Sequence, residues 1–309
     1  MNYPKNFDPE GYCPANEHPD WNQSFYFNFY DPATQTGGFI RVGILENRKE
    51  ANLWFIFFRD GRPLFTRLNM NLPYTRERLT GGLTIADVTL RSIDPLRKAE
   101  VLFDNDQFKV ALEWDAILPM TDSIELTGGG GDDGFAKEMS HYHPEGTCRV
   151  TGSITLRDGE RIPIDAKGFR DLSVGPRNWD YMRHYRLAWP IFDNGLSIVA
   201  VHGFSTTGKD AWMRMVGKDG RWLAVTDVRE RIEFEDDDIT MRTGEWQVTD
   251  ADGDTHEFTS RRIFRWTFPF DTFVVTEHMM EYRLADGTLG YGLGECGFRL
   301  PWAGNNENI

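Results

Sequence analysis

Cysteine is scarce: Cys13, Cys148 and Cys296 are the three in 309 residues, odd in number and without any Cys-x-x-Cys spacing. That excludes a disulfide framework and a cysteine-built zinc site. No uninterrupted apolar run approaches the roughly 18 residues that a membrane-crossing helix needs, and the first twenty residues hold no apolar stretch of the secretory kind. A cytoplasmic, soluble protein is therefore expected. Positive charge is in the minority, with 34 Lys and Arg against 48 Asp and Glu, a net charge of −14. The densest acidic run is Glu233 to Asp238. Such a surface repels phosphate backbones, which excludes a nucleic-acid partner. Helical periodicity is also scarce, and no aspartate-rich helix is present to hold magnesium and ionise a diphosphate.

What the chain has in plenty is aromatic residues, 22 Phe and 10 Trp among them, a bias that favours strands and apolar cavities. The segments QSFYFNFYD, FIRVGILEN and ANLWFIFFRDGRPLF read as a meander of strands. Asp-Gly pairs at Asp60-Gly61, Asp158-Gly159, Asp219-Gly220, Asp252-Gly253 and Asp286-Gly287 mark hairpin turns. Two runs of roughly seven to nine strands, each enough to close a barrel, give an all-β chain of two consecutive domains, 1–178 and 179–309. No internal repeat is visible between them. The polar segment Thr127–His143, with four consecutive glycines, reads as a flexible connection, a lid or a short helix. Its glycines do not precede Lys-Ser/Thr, so it is not a phosphate loop.

One stretch does not fit a pure core pattern: GFRDLSVGPRNWD, Gly168 to Asp180. In a strand, Phe169, Asp171 and Ser173 share one face while Arg170 and Leu172 share the other. Placing Asp171 beside Phe169 inside a barrel would raise its pKa by desolvation and keep it protonated as a proton donor. Gly175-Pro176 then turns the chain, and Arg177 and Trp179 anchor the corner. The competing reading makes these residues an ion-paired, cation–π-packed staple.

Other polar groups on aromatic strands are candidates too. His141 and His143 alternate onto one face, with Glu145 two further on, a set that could hold a metal as cupins do. The remaining cupin ligands are not evident, so polar histidines at a barrel mouth, with no metal, are preferred. Glu277 and Glu281 share a face of their strand. Glu295 lies in a Gly-rich strand, where an ion pair with Arg177 or Arg299 is the alternative to a functional role. His202 ends an apolar run.

The stretch Gly168 to Asp180 is similar to the Arg-Asp-His-Ser-Trp-Gly-x-Arg-x-Trp stretch of the carotenoid hydratase and AttH-like group. WNQSFYFNFYDPATQTGGFIRVGI and GYGLGECGFRL also resemble members of that group. The resemblance implies two lipocalin-like (calycin) antiparallel β-barrels, with Asp171 as the acid that protonates an isoprenoid double bond. HYHPE would take the place of an upstream His-x-Trp pair. The sequence departs at Leu172 for the His, Val174 for the Trp, Phe169 for the Tyr and His143 for the upstream Trp. Those polar aromatics would stabilise a cation and hold a quenching water, so cyclisation or isomerisation stands beside hydration.

The reading is therefore a cofactor-independent enzyme for a hydrophobic isoprenoid or polyene, with its pocket near the domain junction. Asp171 is its acid, and His141 and His143 its orienters or proton acceptors. Tyr26, Phe169, Trp179, His202 and Glu295 would line the pocket, with Arg170 and Arg177 structural. The alternatives are a lipid or terpenoid carrier and a metal-dependent cupin-like enzyme. Oligomeric state is not legible.

Overall fold

A computed structural model describes residues 10–11, 13, 17–75, 82–127, 138–207, 210–270 and 272–301, with backbone only at 210–214. Most of the glycine-rich connection expected at Thr127–His143 lies outside these residues. The architecture is all-β, and the chain divides into two compact units after Arg177.

In the first unit the strands are β1 (Trp21–Asp31), β2 (Thr36–Leu45), β3 (Glu50–Arg59), β4 (Arg62–Pro73), β5 (Leu83–Ile85), β6 (Val88–Asp94), β7 (Lys98–Asp104), β8 (Phe108–Ala116), β9 (Thr121–Asp122), β10 (Pro144–Leu156) and β11 (Arg161–Pro176). Ten of them form one antiparallel path, β4-β3-β2-β1-β11-β10-β8-β7-β6-β5, and β9 pairs with β10. The path curls on itself. Phe57 on β3 meets Phe108 on β8 at 5.3 Å between ring centroids, and Phe55 meets Phe103 on β7 at 4.9 Å. Strands so far apart in the order touch only around a shared core. Phe25, Phe27 and Phe29 of β1 and Ile162, Ile164, Leu172 and Val174 of β11 belong to that core. Each buried Phe or Leu contributes about 1.5–3 kcal/mol.

A short helix, α1 (Ser123–Leu126), groups with the second unit. There β12 (Met182–Phe192), β13 (Ser197–Ser205), β14 (Asp210–Lys218), β15 (Arg221–Phe234), β16 (Met241–Asp250), β17 (Thr255–Phe270), β18 (Phe273–Leu284) and β19 (Leu289–Arg299) form a closed up-and-down barrel. Closure removes the sheet edges. Ala188, Ala200, Trp246, Phe258, Tyr282 and Phe298 lie in its core.

The five Asp-Gly pairs expected to mark hairpins all sit at strand-to-strand turns. At two of them both residues have positive φ, Asp60 and Gly61 (52° and 68°) and Asp219 and Gly220 (52° and 76°). That is the type I′ geometry that matches strand twist. All three cysteines are buried, and Cys148 and Cys296 are free thiols. Among the described residues no helix is long and apolar enough to cross a membrane.

Candidate active site

Strand β1 is buried at every position, yet its phases differ: Phe25, Phe27 and Phe29 alternate with Ser24, Tyr26 and Asn28. The phenylalanines belong to the core, so the polar phase lies on the opposite face of the sheet. Strand β11 lies between β1 and β10, and its register puts Asp171 opposite Tyr26 on one side and Glu145 on the other. All three share that outer face.

This parity confirms part of the sequence reading and corrects part. Phe169, Asp171 and Ser173 do share a face opposite Arg170 and Leu172. It is the Leu172 face, however, that packs into the core. Asp171 is therefore not inside the barrel. The physical reason is the apolar phase of β11 itself, Ile162-x-Ile164-x-Ala166, which continues through Leu172 and Val174. Phe169 instead stacks on Tyr26, with centroids 5.5 Å apart, on the outer face.

His143 completes a cluster there. Its Nε2 lies 3.6 Å from Glu145 Oε1 and 3.7 Å from Asp171 Oδ1. Side-chain exposure falls from 20% at Asp171 through 10% at His143 to 2% at Glu145, so Asp171 is the end that reaches outward. Strand pairing fixes the two carboxylates. The histidine is placed by its backbone N–H, which donates to Asp122 Oδ1 at 3.2 Å, and by the residues before it. His141 N–H and Tyr142 N–H both donate to Val174 O, at 2.8 and 3.1 Å. Gly175, at φ 141°, permits this approach, because a Cβ there would lie 2.5 Å from His141 N. Arg177 Nη2 donates to Ser173 Oγ at 2.6 Å, Ser173 to Ser140 Oγ at 3.0 Å, and Ser140 to Tyr142 O at 2.9 Å.

Burial opposes a charge on His143, but the carboxylates of Glu145 and Asp171 outweigh both that and the repulsion from Arg177, and its pKa is raised. The cationic imidazole is thus favoured between a buried carboxylate and an outward-reaching one. The same three side chains are the group among the described residues that could hold a metal ion, with ligand atoms all within 4.8 Å of one another. One imidazole and two carboxylates suit a divalent cation. The metal set weighed from sequence, and not preferred there, joined His141 to His143 and Glu145; His141 instead packs edge-on against Trp21 at 5.6 Å.

The remaining candidates fall elsewhere. Arg170 is not a corner staple; it points into the core of the first unit and pairs with Glu10. In the second unit, Trp179 stacks on Phe273 and Phe270 at 4.8 and 5.6 Å. Glu295 accepts from the Tyr185 hydroxyl, whereas Arg299 pairs with Asp180 at 2.9 Å. His202 faces the barrel interior, its Nδ1 3.4 Å from Glu230 Oε1, with Arg186 3.5 Å from the same oxygen. Its neighbour His184 is pushed down to about 3 by burial and then by Arg186, Arg183 and His202. Sequence reasoning gave Glu145 weight only as a metal ligand. Its place opposite Asp171 follows from the β10–β11 hairpin register, which the Asp158-Gly159 turn could have supplied.

A family model described as Domain of unknown function (DUF7064) matches residues 11–299. No curated protein matches the sequence. Among solved structures, kievitone hydratase from Nectria haematococca is similar over 95% of this chain and 94% of its own, with 12% identity and a TM-score of 0.64. CghA, solved with Sch210972, is 13% identical over 90% of this chain and 88% of its own, with a TM-score of 0.64. An AttH candidate from Nitrosomonas europaea is 13% identical over 93% and 98%, with a TM-score of 0.60. The chain has the fold of these proteins, the double lipocalin-like fold that the resemblance implied.

Proposed function

We propose that this chain, which belongs to the family described as Domain of unknown function (DUF7064), is an enzyme that moves a proton onto an unsaturated hydrophobic substrate without a cofactor. The observation that carries the reading is a single imidazole nitrogen 3.6 and 3.7 Å from two carboxylates, one buried and one reaching outward. Both carboxylates raise the pKa of His143 against its burial, so the cluster retains a proton and His143 stores it. Asp171 delivers that proton to an alkene carbon. The resulting cation takes the oxygen of water, closes on a second double bond, or loses a different proton back to the cluster. Each route returns one proton, so the cycle balances. The aromatic faces of Tyr26 and Phe169 beside Asp171 would shield positive charge. That one structural neighbour is named a hydratase and another holds a small molecule, Sch210972, supports a substrate of this class.

Deuterium uptake tests the reading whichever product forms. An apolar molecule extracted from the purified protein is identified by mass spectrometry and returned to it in D2O. Carbon-bound deuterium should accumulate with wild type. With Asp171→Asn the rate should fall by about two to four orders of magnitude while binding persists. Undiminished exchange in that variant refutes the proton-donor role, and binding without any exchange in wild type leaves a carrier.

The 4.8 Å grouping favours one second reading, a divalent cation on His143, Glu145 and Asp171 that polarises the substrate. Stoichiometric metal in the purified protein, lost with His143→Gln, would replace the proton store by that ion.

A further inference from the structure

Arg170 and Asp171 are adjacent in sequence and face opposite ways, and the arginine side holds a second charged site. Arg170 stands opposite Phe27 in the β1–β11 register, and its guanidinium lies 5.6 Å from the centre of that ring. Both belong to the interior phase of the curled sheet. The arginine side chain is 4% exposed and its partner, Glu10, 2%. Glu10 belongs to no strand. It enters from the N-terminal segment, and its other carboxylate oxygen accepts from the hydroxyl of Ser92 on β6. In the sheet path β6 is four strands from β11, so this one carboxylate links two distant strands, the buried Arg170 of β11 and the exposed Ser92 of β6. Beside it, Cys13 joins the hydrophobic core, and Gln23 clasps the segment by accepting from Cys13 N–H at 3.2 Å and donating to Gly11 O at 2.7 Å.

A lone interior arginine is costly to bury, and here the cost is met by a carboxylate that lies outside the strands. The Arg170 Nη1 still has no hydrogen-bond partner although it is buried. Burial alone pulls the guanidinium down to about 10. An occupant replacing Glu10 must therefore be anionic, and a planar carboxylate fits the guanidinium fork. It must also be apolar beyond that headgroup, because the Phe27 ring lies against the guanidinium and Phe25, Leu172 and Val174, on the same face of β1 and β11, belong to the core.

We propose that Arg170 and Ser92 form a binding site for the carboxylate of a long-chain apolar acid, with Glu10 as a built-in occupant that such a ligand displaces. The site is independent of the His143 cluster, which lies on the other face of β11, and neither reading depends on the other.

Dodecanoate is the probe, with dodecanol as the control that keeps the chain and loses the charge. A tethered carboxylate competes at high effective concentration, so wild type should bind dodecanoate weakly. Glu10→Gln should bind it at least tenfold more tightly by calorimetry. Arg170→Gln should lose binding, and dodecanol should bind none of the three. In wild type, dodecanoate should also accelerate cleavage after Glu10 by a glutamate-specific protease, read by mass spectrometry. Equal affinity in wild type and Glu10→Gln, or no binding to folded Glu10→Gln, overturns the proposal. If that variant does not fold, unchanged cleavage of wild type after Glu10 overturns it instead.

Discussion

Replacing Gly175 by Ala should disturb the candidate site without touching any of its charged groups. The substitution adds one methyl at φ 141°, where the new Cβ would lie 2.5 Å from His141 N and 3.2 Å from its ring. No backbone atom can be that close, so residues 141–142 must retreat from β11. The retreat strains or breaks His141 N–H to Val174 O (2.8 Å), Tyr142 N–H to Val174 O (3.1 Å) and Val174 N–H to Tyr142 O (2.9 Å). Backbone strain at such an angle costs about 1–3 kcal/mol, and each net hydrogen bond about 0.5–1.5 kcal/mol. A loss of about 3 kcal/mol or more is expected. Gly159→Ala is the matched control, since φ is 90° there and nothing lies within 4 Å of the added carbon. It should cost only the strain, about 1 kcal/mol. Urea denaturation of the two variants against wild type reads the difference. Equal losses would refute the close-approach argument and with it the claim that Gly175 sets the position of His143.

Leu172→Ala should cost about 2–5 kcal/mol as a core truncation, whereas Asp171→Asn, one residue away on the outer face, should change stability little; the reverse order by thermal denaturation would put the barrel interior on the wrong face. The His143 pKa is raised in the fold, so its contribution to stability is complete below the ordinary 6.5 and is lost as pH rises through the higher folded value. The melting temperature of wild type should therefore lose ground to that of His143→Gln above neutrality, and parallel curves would contradict this. Asp250 behaves oppositely. Burial raises its pKa, but bonds from His256 and Lys218 prevail and bring it to about 2. Its contribution is present above the ordinary 3.8 and is lost as pH falls toward 2, so Asp250→Asn should flatten acid denaturation in that window.

Much of the architecture was legible because strands announce themselves by period and Asp-Gly turns by type, as at Asp60-Gly61 and Asp219-Gly220. The alternation across Phe169–Ser173 was legible for the same reason. Which face became the interior was not, since Phe169 invited an inward reading while Ile162, Ile164, Leu172 and Val174 in the other phase decided the matter. A strand buried on both faces, as β1 is, gives no solvent-exposed phase to mark the outside. The partnership of Asp171 with Glu145 depends on hairpin register, a long-range quantity, and His143 joins them through the Val174 bridge of the two residues before it and its own N–H to Asp122. Glu10 gave no local sign at all. A carboxylate from the N-terminal segment that meets two distant strands of a curled sheet is a tertiary event that neither propensity nor periodicity encodes.

The account depends most on His143 carrying a proton between two carboxylates. Its imidazole can be followed by NMR titration, with the resonance assigned by its absence in His143→Gln. The account predicts a midpoint above 6.5 in wild type that falls in both Glu145→Gln and Asp171→Asn. A midpoint at or below 6.5 in wild type, or one that neither variant moves, would contradict it.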